Sequence, residues 1–315
     1  MTQHPKHFNN KIMVKLNKII KLPKYVYKSL KCDLSKLQPY NALRKPKIAF
    51  CIFGLVGGVK GKSGENLAGS EEVLNIGFDH YKKHIFEKNS NIDVFIHTWN
   101  IDLKEQIVKL YKPKKSEFQT QISFEVPDYV KGEYRRKQNH YSRWYSTKKV
   151  IELKTQYEKE NDFEYDLIFL TRFDIAWEKD LDFSKIDPQY FYVADYFQVK
   201  PLLGLFQWRS GYPYQEEGLA DLWFISNSEN MNIFSTLYDY LNKYTDTGNC
   251  PYSPNTGISN HNLVSYHLKQ KAIIKKLRFI FEHYGPDEVD PLVRKKYFGI
   301  NIINIKEDLK FISKN

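Results

Sequence analysis

The amino-acid sequence predicts an α/β protein: a mostly parallel central sheet flanked by helices, in a domain spanning residues 46–315, with a basic helical appendage over residues 1–45. Two observations carry this expectation. Short, near-continuous apolar runs alternate with longer helical patterns, as in sheets whose strands are covered on both faces. Three of those runs also break into glycine or polar residues at their carboxyl ends, where open α/β sheets present their ligand-binding groups.

Taken in order, KIAFCIFGLVGG reads as a strand from Lys47 that runs into a glycine turn. SEEVLNIGFDHYKKHIFEK is a helix, with Ser70 as its N-cap and acids in its first turn. IDVFIHTWN, from Ile92, is a second buried strand, and DLKEQIVKLYKP a short helix that Pro113 ends. KSEFQTQISFEV is a third strand. HYSRWYSTKKVIELKTQYEKE, after a polar basic segment, has a long helical pattern. YDLIFLTRFDIAW holds the next strand, and FYVADYF and DLWFIS two more. SENMNIFSTLYDYLNKY is a helix capped by Ser228; residues 245–260 are a loop rich in Gly, Pro and Asn; ISNHNLVSYHLKQ is helical; RFIFEHY and INIINI are short strands.

Composition excludes several classes. With 315 residues, 42% hydrophobic and 16% aromatic, the chain can bury a large core and is not a disordered tail. No apolar run approaches the roughly 18 residues of a membrane span, and no apolar leader with a small-residue cleavage site follows Met1, so a cytoplasmic setting is expected. Cys32, Cys51 and Cys250 form neither a disulfide framework nor a zinc pattern. The net charge of +11 favours anionic partners. Much of it lies in Lys11, Lys15, Lys18, Lys21, Lys24, Lys28 and Lys31, interleaved with Ile12, Leu16, Ile19 and Ile20. A basic amphipathic stripe of this kind fits peripheral contact with the anionic inner face of a membrane through residues 11–31. No nucleic-acid module is present, and nucleic acid is not an expected partner.

Five stretches could carry chemistry. GLVGGVKGKSG, residues 54–64, resembles a phosphate-binding loop but fails its spacing: counting back from Gly61-Lys62-Ser63, the required glycine falls on Val56. It can still be a loop that admits phosphate, with Lys60 and Lys62 as counter-charges, or a mobile surface loop. His97, Thr98 and Asn100 end the second strand, where a histidine is more often a structural hydrogen-bonder than a catalyst. Arg172 and Asp174 end the strand of TRFD. Two residues apart on a strand, they would face one site, the carboxylate suited to a hard divalent ion and the guanidinium to phosphate oxygens; the alternative is a structural Arg–Asp pair that closes the strand. Asp221 opens DLWFIS, ahead of its apolar run, and either acts as a general base or belongs to an exposed acidic loop, the favoured reading for Glu216 and Glu217 just before it. His261 and His267 are six apart and do not share a helix face.

In this order the motifs KIAFCIFGLVGG, DVFIHTWN, YSRWYSTKKVIELKTQYE, YDLIFLTRFDIAW, DLWFISNSENM and NHNLVSYHL resemble those of bacterial and giant-virus glycosyltransferases that build surface polysaccharides. The resemblance covers roughly residues 47–305. It implies a GT-A-like, Rossmann-like fold and transfer of a sugar from a nucleoside-diphosphate donor to a glycan or lipid-linked glycan acceptor. It places the Asp-x-Asp motif of such enzymes at Arg172-Phe173-Asp174, with Asp174 as ligand to a divalent cation (Mn2+ or Mg2+) and an arginine in place of the first acid; that arginine either shares the diphosphate with the metal or neutralises it directly in the metal's place. It implies a donor site at Phe53, Gly54, Lys62, Arg172, Asp174, Arg143 and Ser146, with Tyr141 and Tyr145 beside it. Asp221 would be the acceptor-facing catalytic acid, and His261 and Glu217 would belong to the acceptor or a late site. Two other readings remain: transfer of another phosphorylated group onto a glycan, or a basic non-enzymatic nucleic-acid-binding protein.

Overall fold

The computed structural model describes residues 42–57, 69–175, 177, 180–202, 205–210, 219, 221–246 and 257–284. The lysine stripe, Lys60, Lys62, Glu216, Glu217, Cys32, Cys250 and INIINI lie outside the described residues.

Among the described residues, eight strands form one mixed sheet: β1 (Ile48–Gly54), β2 (Ile92–Thr98), β3 (Lys115–Phe118), β4 (Leu167–Arg172), β5 (Phe191–Leu202), β6 (Leu205–Ser210), β7 (Phe224–Ser226) and β8 (Leu277–Tyr284). Their order is β3-β2-β1-β4-β7-β5-β6, with β8 paired to β5. The first four are parallel neighbours, and β7 meets β4 antiparallel. Helices α1 (Glu71–His84), α2 (Lys104–Tyr111) and α3 (Tyr134–Glu160) make the three crossovers; α4 (Ser228–Ser235), α5 (Leu237–Thr245) and α6 (Asn260–Gln270) follow. This is the predicted α/β class, with the 3-2-1-4 order of a doubly wound sheet. None of the described helices is long and apolar enough to cross a membrane.

Alternation along the strands produces two cores. Ile48, Phe50, Ile52, Ile96, Leu167 and Phe169 pack with α1 and α2 on one face. Ala49, Cys51, Phe53, Phe95, Ile168 and Leu170 pack with α3 and the later helices on the other. Both faces are dry, which is why these strands read as continuous apolar runs rather than alternating ones.

Several elements differ from expectation. Helix α3 starts at Tyr134, six residues before the predicted pattern, because Glu133 caps it by accepting from the backbone N–H groups of Arg135 and Arg136. The added residues YRRKQN show no apolar stripe to announce them. The predicted third strand is only Lys115–Phe118, and Leu205–Ser210 is a strand that was not expected. SENMNIFSTLYDYLNKY forms two helices divided at Thr236, and the cap of the first is Asn227, not Ser228. Ser228 is instead buried against α3: its hydroxyl meets Glu158, and the fully buried ammonium of Lys154 donates to Glu158 and Asn232, both at 2.8 Å. This network ties the end of α3 to the start of α4.

Candidate functional site

The sheet order reverses between β1 and β4, where one crossover leaves on each side and a crevice opens beyond the strand ends. Register places three ends together there: Gly54 opposite Thr98, and Phe53 opposite Arg172.

The turn after β1 is held by hydrogen bonds rather than by packing alone. Gly54 has φ +89°, a backbone conformation that favours glycine. Its N–H donates to Ser146 Oγ at 2.9 Å, and its carbonyl accepts from the Thr98 hydroxyl at 2.8 Å. The Val56 N–H donates to Asn100 Oδ1 at 2.7 Å. His97 donates from Nε2 to Gln119 Oε1 at 3.3 Å, which leaves Nδ1 to accept from the Ser146 hydroxyl at 2.7 Å. Burial pushes the His97 imidazole down to about 4, so it is neutral at pH 7, consistent with that tautomer. His97, Thr98, Asn100 and Ser146 are therefore the frame of the turn. Ser146, expected to line a donor site, is wholly buried in that frame, and Phe53 is buried with only its edge reaching the crevice.

Beyond β4 the chain turns at Phe173-Asp174. The turn is fixed from α1: the Tyr81 hydroxyl donates to the Arg172 carbonyl at 2.7 Å and lies 2.8 Å from Thr171 Oγ1. Gly77 packs so close that a Cβ there would stand 2.2 Å from the Phe173 carbonyl oxygen. Arg172 and Asp174 were expected to face one site side by side. They face each other: Arg172 donates from Nε and Nη2 to the two Asp174 oxygens, at 2.8 and 2.6 Å. The Asp174 side chain is fully buried, while that of Arg172 is 12% exposed and reaches the crevice.

A second arginine–aspartate couple lies opposite. Arg143, on α3, pairs through Nη1 with Asp221 Oδ2 at 2.9 Å and also donates to the Asp221 carbonyl. Its guanidinium lies over the rings of Phe53 and Trp144, 5.2 and 4.9 Å from their centroids. His261 joins from α6: Nδ1 donates to the Leu219 carbonyl at 2.7 Å and lies 3.8 Å from Asp221 Oδ1. Burial alone would raise the Asp221 carboxyl. The Arg143 guanidinium, then His261 and Arg172, reverse this and hold it at about 2. The geometry thus brings Arg143, Arg172, Asp221 and His261 into one electrostatic group. It does not bring in Tyr141, whose hydroxyl is spent on Asn242, or Tyr145, which stacks on Trp99 inside an aromatic cluster.

Between the strand ends and the first turns of α3 is a cleft of about 480 Å³. Phe53, Gly54, Leu55 and Trp99 form its floor; Arg135, Gln138, Asn139, Ser142 and Arg143 form a wall from one helix face. Ile122 and Tyr134 stand exposed at its lip. Arg172 and Asn260 close the far side, and a smaller hollow of about 240 Å³ adjoins it at Leu55, Trp99 and Gln121.

Asp174, the expected ligand of a divalent cation, is buried and accepts from Arg172 through both oxygens. Among the described residues no three His, Cys, Asp or Glu side chains come together as metal ligands.

Asn260, Trp99, Gln138 and Arg135 belong to the site but were not predicted. Asn260 accepts from His140 Nδ1 at 2.6 Å and from Trp144 Nε1 at 3.0 Å, so it fixes the start of α6 against α3. An aromatic residue directly beyond a buried strand was the available signal for Trp99. Arg135 and Gln138 required knowing that α3 begins at Tyr134.

No protein-family model and no curated protein matches this chain. Among solved structures it is similar to the 4-diphosphocytidyl-2C-methyl-D-erythritol synthase from Anaerococcus prevotii DSM 20548, at a TM-score of 0.41 and 8% identity. That alignment covers 85% of this chain and 97% of the other.

Proposed function

We propose that this protein is a nucleotide-sugar-dependent glycosyltransferase, which moves a sugar from a nucleoside diphosphate to a hydroxyl of a glycan or lipid-linked glycan. The observation that carries this reading is the cleft itself. It lies at the switch point of a doubly wound sheet, has an apolar and aromatic floor, and is lined by Arg135, Arg143 and Arg172. An apolar floor beside fixed guanidinium groups suits a ligand with a flat or ring-shaped part and an anionic part.

In the reaction, charge accumulates on the diphosphate as the bond to the sugar breaks. Arg172 and Arg143, oriented in advance by Asp174 and Asp221, stabilise that charge without reorganising. Asp221 is an unsuitable proton acceptor: held at about 2 and paired with a guanidinium, it has little affinity for a proton at neutral pH. Its role is to position Arg143. The amide of Asn139 and the exposed ring of Tyr134 offer hydrogen bonds and a stacking face to a sugar, while Gln138 is held by both backbone groups of Phe124 and Asn260 Oδ1 by His140 and Trp144. The basic stripe of residues 11–31 would bring the enzyme to an anionic membrane that carries its acceptor.

The test is a thermal-shift panel of nucleoside diphosphates and their sugars, followed by donor turnover with the hit. Arg143→Ala and Arg172→Ala should each lower turnover by at least about tenfold, as loss of a charge-assisted contact to a leaving group implies. Stabilisation only by activated donors without a nucleotide would replace this reading with transfer of another phosphorylated group. Full turnover in both variants would remove the site assignment.

A further inference from the structure

We infer that the cleft binds its diphosphate through arginine alone, with no divalent cation held by Asp174, and that Asp174 and Asp221 serve as positioning residues for the two guanidinium groups. The inference rests on the glycosyltransferase reading above and departs from the metal that the Asp-x-Asp comparison implies.

Asp174 sits at the place of a metal-binding acid, but it is turned away from the cleft. Its side chain is fully buried and both oxygens are engaged by the Nε–Nη2 edge of Arg172. Each oxygen keeps a further lone pair, but the carboxylate is fully buried behind Arg172 and does not line the cleft, so to present that lone pair to a metal there it would have to leave a turn held by Tyr81 and by the close approach of Gly77. The bidentate pair orients a planar fork, and it is the arginine, not the acid, that lines the cleft. The same design recurs across the crevice. Asp221, 7% exposed, lies behind Arg143, whose guanidinium lines the cleft. Arg135 supplies a third positive charge from the outer wall. Among the described residues the cleft lining contains no carboxylate, and the adjoining hollow has one, Asp102. A metal-dependent diphosphate site needs at least one carboxylate facing the phosphates; a site built on guanidinium groups needs its carboxylates behind them. The arrangement is the second kind.

The experiment measures binding, not turnover. The wild-type chain is titrated calorimetrically with UDP, GDP, CDP and ADP, once in EDTA and once in saturating MnCl2 or MgCl2. The expected result is that the nucleoside diphosphate that binds does so with a Kd unchanged within about threefold by the metal. Arg135→Ala, at an exposed position that should not disturb folding, should weaken it by about tenfold in both buffers. Asp174→Asn retains an acceptor for Arg172 and should weaken binding equally with and without metal. Binding that appears only with the metal, or a metal response that Asp174→Asn abolishes, overturns the inference and leaves the glycosyltransferase reading intact. Absence of binding by every nucleoside diphosphate in both buffers overturns the reading and the inference together.

Discussion

Replacing Asp221 with asparagine removes a charge from the centre of the site while keeping its shape, and the cost can be worked from the structure. An ordinary aspartate titrates near 3.8, and Asp221 in the fold at about 2. The folded value is the lower one. Its contribution to stability is therefore fully present above about pH 4 and is lost as the pH falls through about 2. At pH 7 the difference corresponds to about 2 kcal/mol. The variant also leaves the Arg143 guanidinium, with a side chain only 10% exposed, facing a neutral amide. Breaking a buried pair on one side costs more than the pair's net worth, so the expected loss is about 2 to 4 kcal/mol. Urea unfolding followed by far-UV circular dichroism at pH 7, 5 and 3.5 measures it. The midpoint should fall without a change in slope. The gap between variant and wild type should be constant from pH 7 to 5 and narrow at 3.5, as the carboxyl of the unfolded wild-type chain begins to protonate while the folded one stays ionised. A loss below about 0.5 kcal/mol at pH 7, or a gap that widens on acidification, would refute the claim that Asp221 is a buried anion held by Arg143.

Three further outcomes follow from the same contacts. Gly77→Ala puts a methyl group 2.2 Å from the Phe173 carbonyl oxygen, so α1 must shift from the turn after β4; a loss of about 1–3 kcal/mol is expected in the same unfolding assay, with weaker nucleotide binding because that turn carries Arg172. Glu158→Gln leaves the buried Lys154 ammonium with neutral acceptors in place of its carboxylate and should cost about 3–5 kcal/mol, whereas Lys154→Met with Glu158→Leu should recover much of it; equal instability of the single and double variants would contradict this. Ser146→Ala leaves the Gly54 N–H without its partner and should cost about 1–3 kcal/mol by thermal denaturation, while Ser146→Thr, which keeps a hydroxyl, should lose less.

The fold was legible where burial is two-sided. β1, β2 and β4 lie between two helical layers, so every residue of IAFCIF and LIFL is apolar and the runs announce themselves. The strand ends followed from the same signal, because polarity returns where the layers stop. Legibility failed at polar helix starts and at edges: YRRKQN carries no apolar stripe, and Leu205–Ser210 among the described residues pairs with β5 alone, at the rim of the sheet. The site was half legible for a related reason. Arg172 and Asp174 are two residues apart, so their proximity was certain, but whether they faced one site together or paired with each other was left open. A strand would have carried both side chains to one face, but the strand ends at Arg172, and the turn that follows brings the carboxylate back onto the arginine.

Arg143 and Asp221 show why the remainder needed coordinates. They are 78 positions apart, on α3 and in the segment before β7, and neither neighbourhood marks the other as its partner. Read singly, an arginine in the middle of an amphipathic helix suggests surface, and an acid before a strand suggests a base. Read as a pair, each changes meaning: the acid loses its proton affinity to the guanidinium, and the arginine gains a fixed direction from the acid. The same exchange has taken place within TRFD. What distinguishes a metal-binding acid from an arginine-positioning one is which side of the pair faces the cleft, and at both couples the guanidinium is the group that lines it.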